Sequence, residues 1–106
     1  MGKYLVQASL SLDALKGTLA EGGTARADAV KAAVESLGGS LDCFYYGFGE
    51  ADVYGIADMP DNVTAAAFAV SVAAAGVGSL KTTVLLTPAE IDQVAKKAVS
   101  YRPPGG

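Results

Sequence analysis

The 106-residue chain has no histidine and a single cysteine, Cys43. It therefore lacks the side chain that most often serves as a general base near neutral pH and as a transition-metal ligand. No serine, lysine or cysteine has a recognisable activating partner, so no catalytic residue is assigned. No metal and no cofactor is expected, since haem would have to rely on tyrosine or cysteine ligation. A lone cysteine cannot close an intramolecular disulfide and fits a reducing compartment. Charge is also scarce, at 18% of residues with a net −3. The scattered lysines form no basic stripe that could displace counterions from a phosphate backbone, so no nucleic-acid partner is expected. No apolar run is long enough to span a membrane, which argues against a membrane partner. Met1-Gly2-Lys3 leads straight into a strand-like segment rather than the apolar core of a signal peptide. The chain reads as soluble and cytoplasmic, and the glycosylation pattern Asn62-Val63-Thr64 is then a chance match.

Hydrophobic residues make up 51% of the chain, enough for one domain that buries roughly two thirds of its unfolded surface. Residues 1–100 read as that domain and 101–106 as a flexible tail, Tyr101-Arg102-Pro103-Pro104-Gly105-Gly106. Lys3 to Ser9 alternates with strand period, Tyr4, Val6 and Ala8 on one face and Leu5, Gln7 and Ser9 on the other. Ser11 to Gly23 reads as one helical turn and a loop, with Leu12, Leu15 and Leu19 at helical spacing. Thr24 offers a cap to a first main helix with Val30, Ala33, Val34 and Leu37 on one face, ended by Gly38-Gly39. Leu41 to Phe48 and Ala51 to Ala57 read as a hairpin of two strands. Met59-Pro60-Asp61 introduces an alanine-rich helix whose face is read as Val63, Ala67, Val70 and Ala74. Leu80 to Leu86 is a fourth strand, and Thr87-Pro88-Ala89-Glu90 is a capping box opening a last helix with Ile91, Val94, Ala95 and Ala98 on one side.

The order predicts an α+β, ferredoxin-like βαββαβ fold with an extra C-terminal helix and strand order four, one, three, two. Helices would cover one face of the sheet. The other is read as carrying Leu5, Phe44, Tyr46, Tyr54, Ile56 and Leu85, opposite Val6, Cys43 and Val53, and such a face is too apolar for water. A second copy of the chain packed sheet to sheet would cover it, giving a homodimer or a higher oligomer.

The double glycine Gly38-Gly39, the aromatic run Phe44-Tyr45-Tyr46, the hairpin Gly49-Glu50-Ala51-Asp52 and the helix entry Met59-Pro60-Asp61 together resemble the GYD-domain family of small bacterial proteins. The likeness runs from the first strand to about Glu90. It implies a dimeric α/β barrel, a class whose members include cofactor-independent monooxygenases, haem-degrading enzymes, small isomerases and ligand-binding regulatory domains. Fold alone cannot choose among these. The family's signature tyrosine between glycine and aspartate is Ala51 here, so a role that needs a phenol at that point is not carried over.

Glu50 and Asp52 invite an acid–base reading, but a solvated turn glutamate and a structural aspartate accepting backbone N–H groups is the favoured one. Gly47-Phe48-Gly49 leads into a strand rather than a helix N-terminus, which rules out a phosphate loop. Strand parity predicts a row of Lys81, Gln7, Asp52 or Tyr54, and Tyr46 across the sheet, able to fix the polar end of a small apolar ligand or to stitch a dimer. Cys43 is placed toward the helices as a buried thiol. The leading functional reading is a homo-oligomeric small-molecule-binding, accessory or regulatory module. The rivals are a cofactor-independent oxygenase or isomerase working between the sheets, and a purely structural assembly unit.

Overall fold

The computed structural model describes residues 2–106. Its elements run β1 (Gly2–Leu10), α1 (Leu12–Glu21), α2 (Gly23–Ser36), β2 (Ser40–Tyr46), β3 (Val53–Met59), α3 (Asn62–Ala74), β4 (Gly78–Leu85) and α4 (Pro88–Lys96). The strands form one antiparallel sheet in the order β2-β3-β1-β4. This is an α+β architecture compatible with the ferredoxin-like fold that the element order predicts.

Cross-strand pairing settles what each face carries. Tyr4 stands opposite Ala57, Val6 opposite Gly55 and Ala8 opposite Val53, so these residues share the face on which the helices pack. The core there is Tyr4, Val34, Ala57, Met59, Ala65 and Phe68, flanked by Val30, Leu37, Leu41 and Val72. Tyr4 buries its ring and donates its hydroxyl to Asn62 Oδ1 at 2.5 Å, which ties the central strand to the start of α3. Gly39 lets α2 turn into β2 closely: a Cβ there would lie 2.4 Å from the Asp58 carbonyl oxygen and 2.7 Å from the Met59 sulfur.

Three sequence expectations need correction. First, α1 is a full ten-residue helix, not a turn and a loop, because Ser11 caps it by accepting from the Ala14 amide at 3.2 Å. The following α2 starts at Gly23 after a Gly22 with φ of 94°, so Thr24 lies inside the helix and caps nothing. Second, α3 buries Ala65 and Phe68 and leaves Val63 and Val70 exposed. A helix so apolar on every side has no periodic signal to say which stripe turns inward, and the single large ring of Phe68 decides it.

The third correction concerns β2. Leu41 pairs with Ala57 and Cys43 with Ile56, so Asp42 is an extra residue in a β-bulge. Beyond it, Phe44 opposite Gly55 and Tyr46 opposite Val53 face the helices, while Cys43 opposite Ile56 and Tyr45 opposite Tyr54 face the open side. The placements expected for Phe44, Tyr46 and Cys43 are therefore inverted. On the open side Lys3 Nζ lies 2.5 Å from Asp42 Oδ2 and 3.0 Å from Asp58 Oδ2. Hydrogen bonding to Asp42, and then to Asp58, raises the Lys3 pKa.

The capping box of α4 is complete: Glu90 N–H donates to Thr87 Oγ1 at 3.1 Å and Thr87 N–H to Glu90 Oε1 at 2.9 Å. No residue of α4 or beyond is buried within the chain. Since tertiary contacts contribute little to this helix, capping should govern its local stability. Thr87→Ala is expected to speed hydrogen exchange of the α4 amides by about 2- to 30-fold, the equivalent of losing a cap of about 0.5–2 kcal/mol. Unchanged exchange would mean the box contributes nothing.

At α3, Asp61 Oδ1 accepts from the Thr64 amide at 2.7 Å. Side-chain and then backbone hydrogen bonding from Thr64 lowers the Asp61 pKa. A carboxyl whose folded-state pKa is depressed stabilises the fold above its unfolded value, about 3.9, and loses that contribution as pH falls through the lower folded value. Protection of the Thr64 amide, measured as its exchange rate relative to the intrinsic rate at each pH, should fall below about pH 4 in the native chain. It should show no such acid step in Asp61→Ser, which caps without titrating.

Candidate functional site

The open face of the sheet is organised in three rows. Lys81 stands opposite Gln7, Gln7 opposite Tyr54 and Tyr54 opposite Tyr45, so one polar-ended row crosses all four strands. Next to it lies an apolar belt of Leu5, Ile56 and Cys43 with Thr83 at the edge. Beyond that are Leu85 and the Lys3, Asp42 and Asp58 ion cluster. Leu5, Ile56, Tyr54, Cys43 and Leu85 are all half-buried, and Tyr45 is exposed. At the end of the face a shallow hollow of about 50 Å³ is lined by Gln7, Ser9, Glu50, Ala51, Ser79 and Lys81, room for about one or two waters.

Of the residues expected to form a site, the structure brings Gln7, Tyr54 and Lys81 together and separates Tyr46 and Asp52 from them. The bulge at Asp42 hands the place in the row to Tyr45. Tyr46 lies on the helix side, its ring edge-on to Phe44 with centroids 5.2 Å apart and its hydroxyl donating to the Gly23 carbonyl at 3.0 Å. Asp52 precedes β3 and is fastened by three bonds: its Oδ2 accepts from Leu10 N–H at 2.8 Å, its N–H donates to Ala8 O at 2.8 Å, and its carbonyl accepts from Gly47 N–H at 2.9 Å. Its carboxylate replaces a strand partner for the end of β1, as the structural reading of this residue requires. Glu50 and Phe48 are exposed in the same hairpin. Tyr45, one of the aromatic residues with Tyr4, Tyr46 and Tyr54 that could line a pocket or pack in a shared core, takes the place in the row expected of Tyr46, because of a residue-count offset in β2 that is invisible in the alternation of "LDCFYY".

Among the described residues, no group of three or more cysteine, aspartate or glutamate side chains converges as a metal site, and no helix is long and apolar enough to cross a membrane. The family profile described as "GYD domain" matches residues 4–95. The chain belongs to the GYD-domain family. Comparison with curated proteins and with solved structures returns no significant match. In this GYD-domain chain Ala51 is buried and lines the hollow beside Gln7 and Lys81.

Because Asp52 serves the Leu10 amide, its removal should cost stability in proportion to the acceptor lost. Asp52→Ala should lower unfolding free energy by about 1–3 kcal/mol. Asp52→Asn should cost less, because its amide oxygen can still face Leu10, and Glu50→Gln should stay within about 0.5 kcal/mol of zero. Urea denaturation of the three variants tests this order, and an Asp52→Ala protein as stable as the parent would contradict it.

Proposed function

We infer that this GYD-domain chain is a homo-oligomeric small-molecule-binding module, built on a twofold pair of chains whose open sheet faces pack together. The observation that carries this reading is the belt of Leu5, Ile56 and Cys43 at the centre of an uncovered sheet, bracketed by the Lys81–Gln7–Tyr54–Tyr45 row and the Lys3 ion cluster. An apolar centre within a polar rim is the anatomy of a protein interface.

Two such faces brought together place two copies of the polar row around the space between the sheets, where tyrosine hydroxyls, glutamine amides and lysine ammonium groups can hold the polar end of a small, largely apolar molecule. Binding is favoured over proton transfer because Asp52, the carboxylate an acid–base mechanism would call on, accepts from the Leu10 backbone.

Light scattering at micromolar concentration should give twice the chain mass or a higher multiple. Ile56→Lys places an unpaired charge in the belt and should dissociate or unfold the assembly, whereas Val63→Lys, on the exposed side of α3, should leave it intact. A folded monomer of the unmodified protein would refute the oligomer. Native mass spectrometry of protein purified from its natural host should show mass beyond the bare assembly; its absence there would refute the ligand.

A further inference from the structure

Helix α1 turns leucines to solvent, Leu12 at 66% and Leu19 at 87% exposure. Its inward side, Ala14, Gly17 and Thr18, walls a cleft of about 270 Å³ on the helix side of the sheet, with the exposed carboxylates of Asp13 and Glu21 at its mouth. Small side chains on this flank leave the space unfilled, and the Thr18 hydroxyl donates to the Ala14 carbonyl of its own helix at 2.8 Å. The floor is Leu10, Phe44, Val53 and Val77, with Tyr46 and Arg26 at the sides. Those four floor residues also line a deeper hollow of about 80 Å³, wholly apolar, between the sheet and helices α2 and α3. The two spaces thus share one apolar wall, with the polar groups on the far side of the outer one.

The charges of the mouth choose the ligand. Arg26 Nη1 lies 3.5 Å from Glu21 Oε2, and these two offset each other. Asp13 is left as the uncompensated charge. Ala75 and Gly76, on the same cleft, end the thirteen-residue helix α3, whose last turn contains no basic residue. Its negative dipole end therefore adds to the carboxylate. The Tyr46 hydroxyl already donates to Gly23. We propose that this cleft binds a small primary amine, its ammonium group held at Asp13 and the α3 C-terminus and its hydrocarbon portion seated over Phe44 and Val53 on the apolar floor. The site is on the opposite side of the sheet from the row of Gln7, Tyr54 and Lys81 and does not depend on the dimer.

The test is a backbone-amide NMR titration of the full chain with hexylammonium, with hexanoate and hexanol as matched probes. Saturable shifts are expected at Thr18, Phe44, Gly76 and Val77, with hexylammonium binding at least about 5-fold tighter than hexanoate. Asp13→Asn should weaken it about 3- to 10-fold, the range of one charge-assisted hydrogen bond at an open site. Gly17→Leu is the blocking variant: no atom lies within 4 Å of a Cβ built there, and leucine is the better helix former. It should keep its circular dichroism and melting temperature and lose binding. No saturable shift, hexanoate binding as tight as hexylammonium, or undiminished binding by folded Gly17→Leu would overturn the proposal. Should Gly17→Leu not fold, unchanged affinity in Asp13→Asn would do the same. Shifts confined to Gln7, Tyr54 and Lys81 would also overturn it, and would assign binding to the open face instead.

Discussion

A single extra residue in one strand decides what each side of this protein offers. The bulge at Asp42 lets Leu41 and Phe44, three positions apart, both turn toward the helices. In a strand of period two, every side chain beyond such an offset changes face. Without it, Phe44 and Tyr46 would leave the helix-side space without a floor and crowd the open face. With it, Tyr45 completes the polar row, Cys43 joins the apolar belt, and the Asp42 carboxylate meets Lys3 beside Asp58. That exposed ion cluster adds little to stability, but it holds the bulged strand to the central strand's side chains.

The second constraint is incomplete cover. A four-stranded sheet has two faces, and the helices pack on one. They do so loosely at one end, where α1 presents the small residues Ala14, Gly17 and Thr18 inward and leaves a cleft. Apolar stripes on α1, α3 and α4 remain exposed. Together with the solvated residues after α4, they enlarge the exposed surface of the single chain.

Two chemically different spaces follow from this arrangement. The open face is banded, with amide, phenol and ammonium groups in line. The helix side is concave, electronegative at its mouth and apolar within. Membership of the GYD-domain family accounts for the architecture, while the activity has to be argued from the side chains in these two places.

Much of the fold was legible in residue order. Alternation in "KYLVQAS" set both faces of β1 correctly, Gly38-Gly39 marked the turn after α2, and Thr87-Pro88-Ala89-Glu90 announced α4, because period, positive φ and capping are local properties. Gln7, Tyr54 and Lys81 were placed on one face for the same reason. The structure alone decided the rest. Whether Ser11 nucleates a whole helix, which side of an all-apolar α3 turns inward, and whether β2 carries its residues in or out depend on packing between segments far apart in the chain. Tyr46 reads as a site residue on the open face, and its partner Gly23, twenty-three positions away, holds it on the other. Local patterns specify elements, whereas register and the inward face of each helix are fixed by non-local contacts that no short stretch of sequence contains.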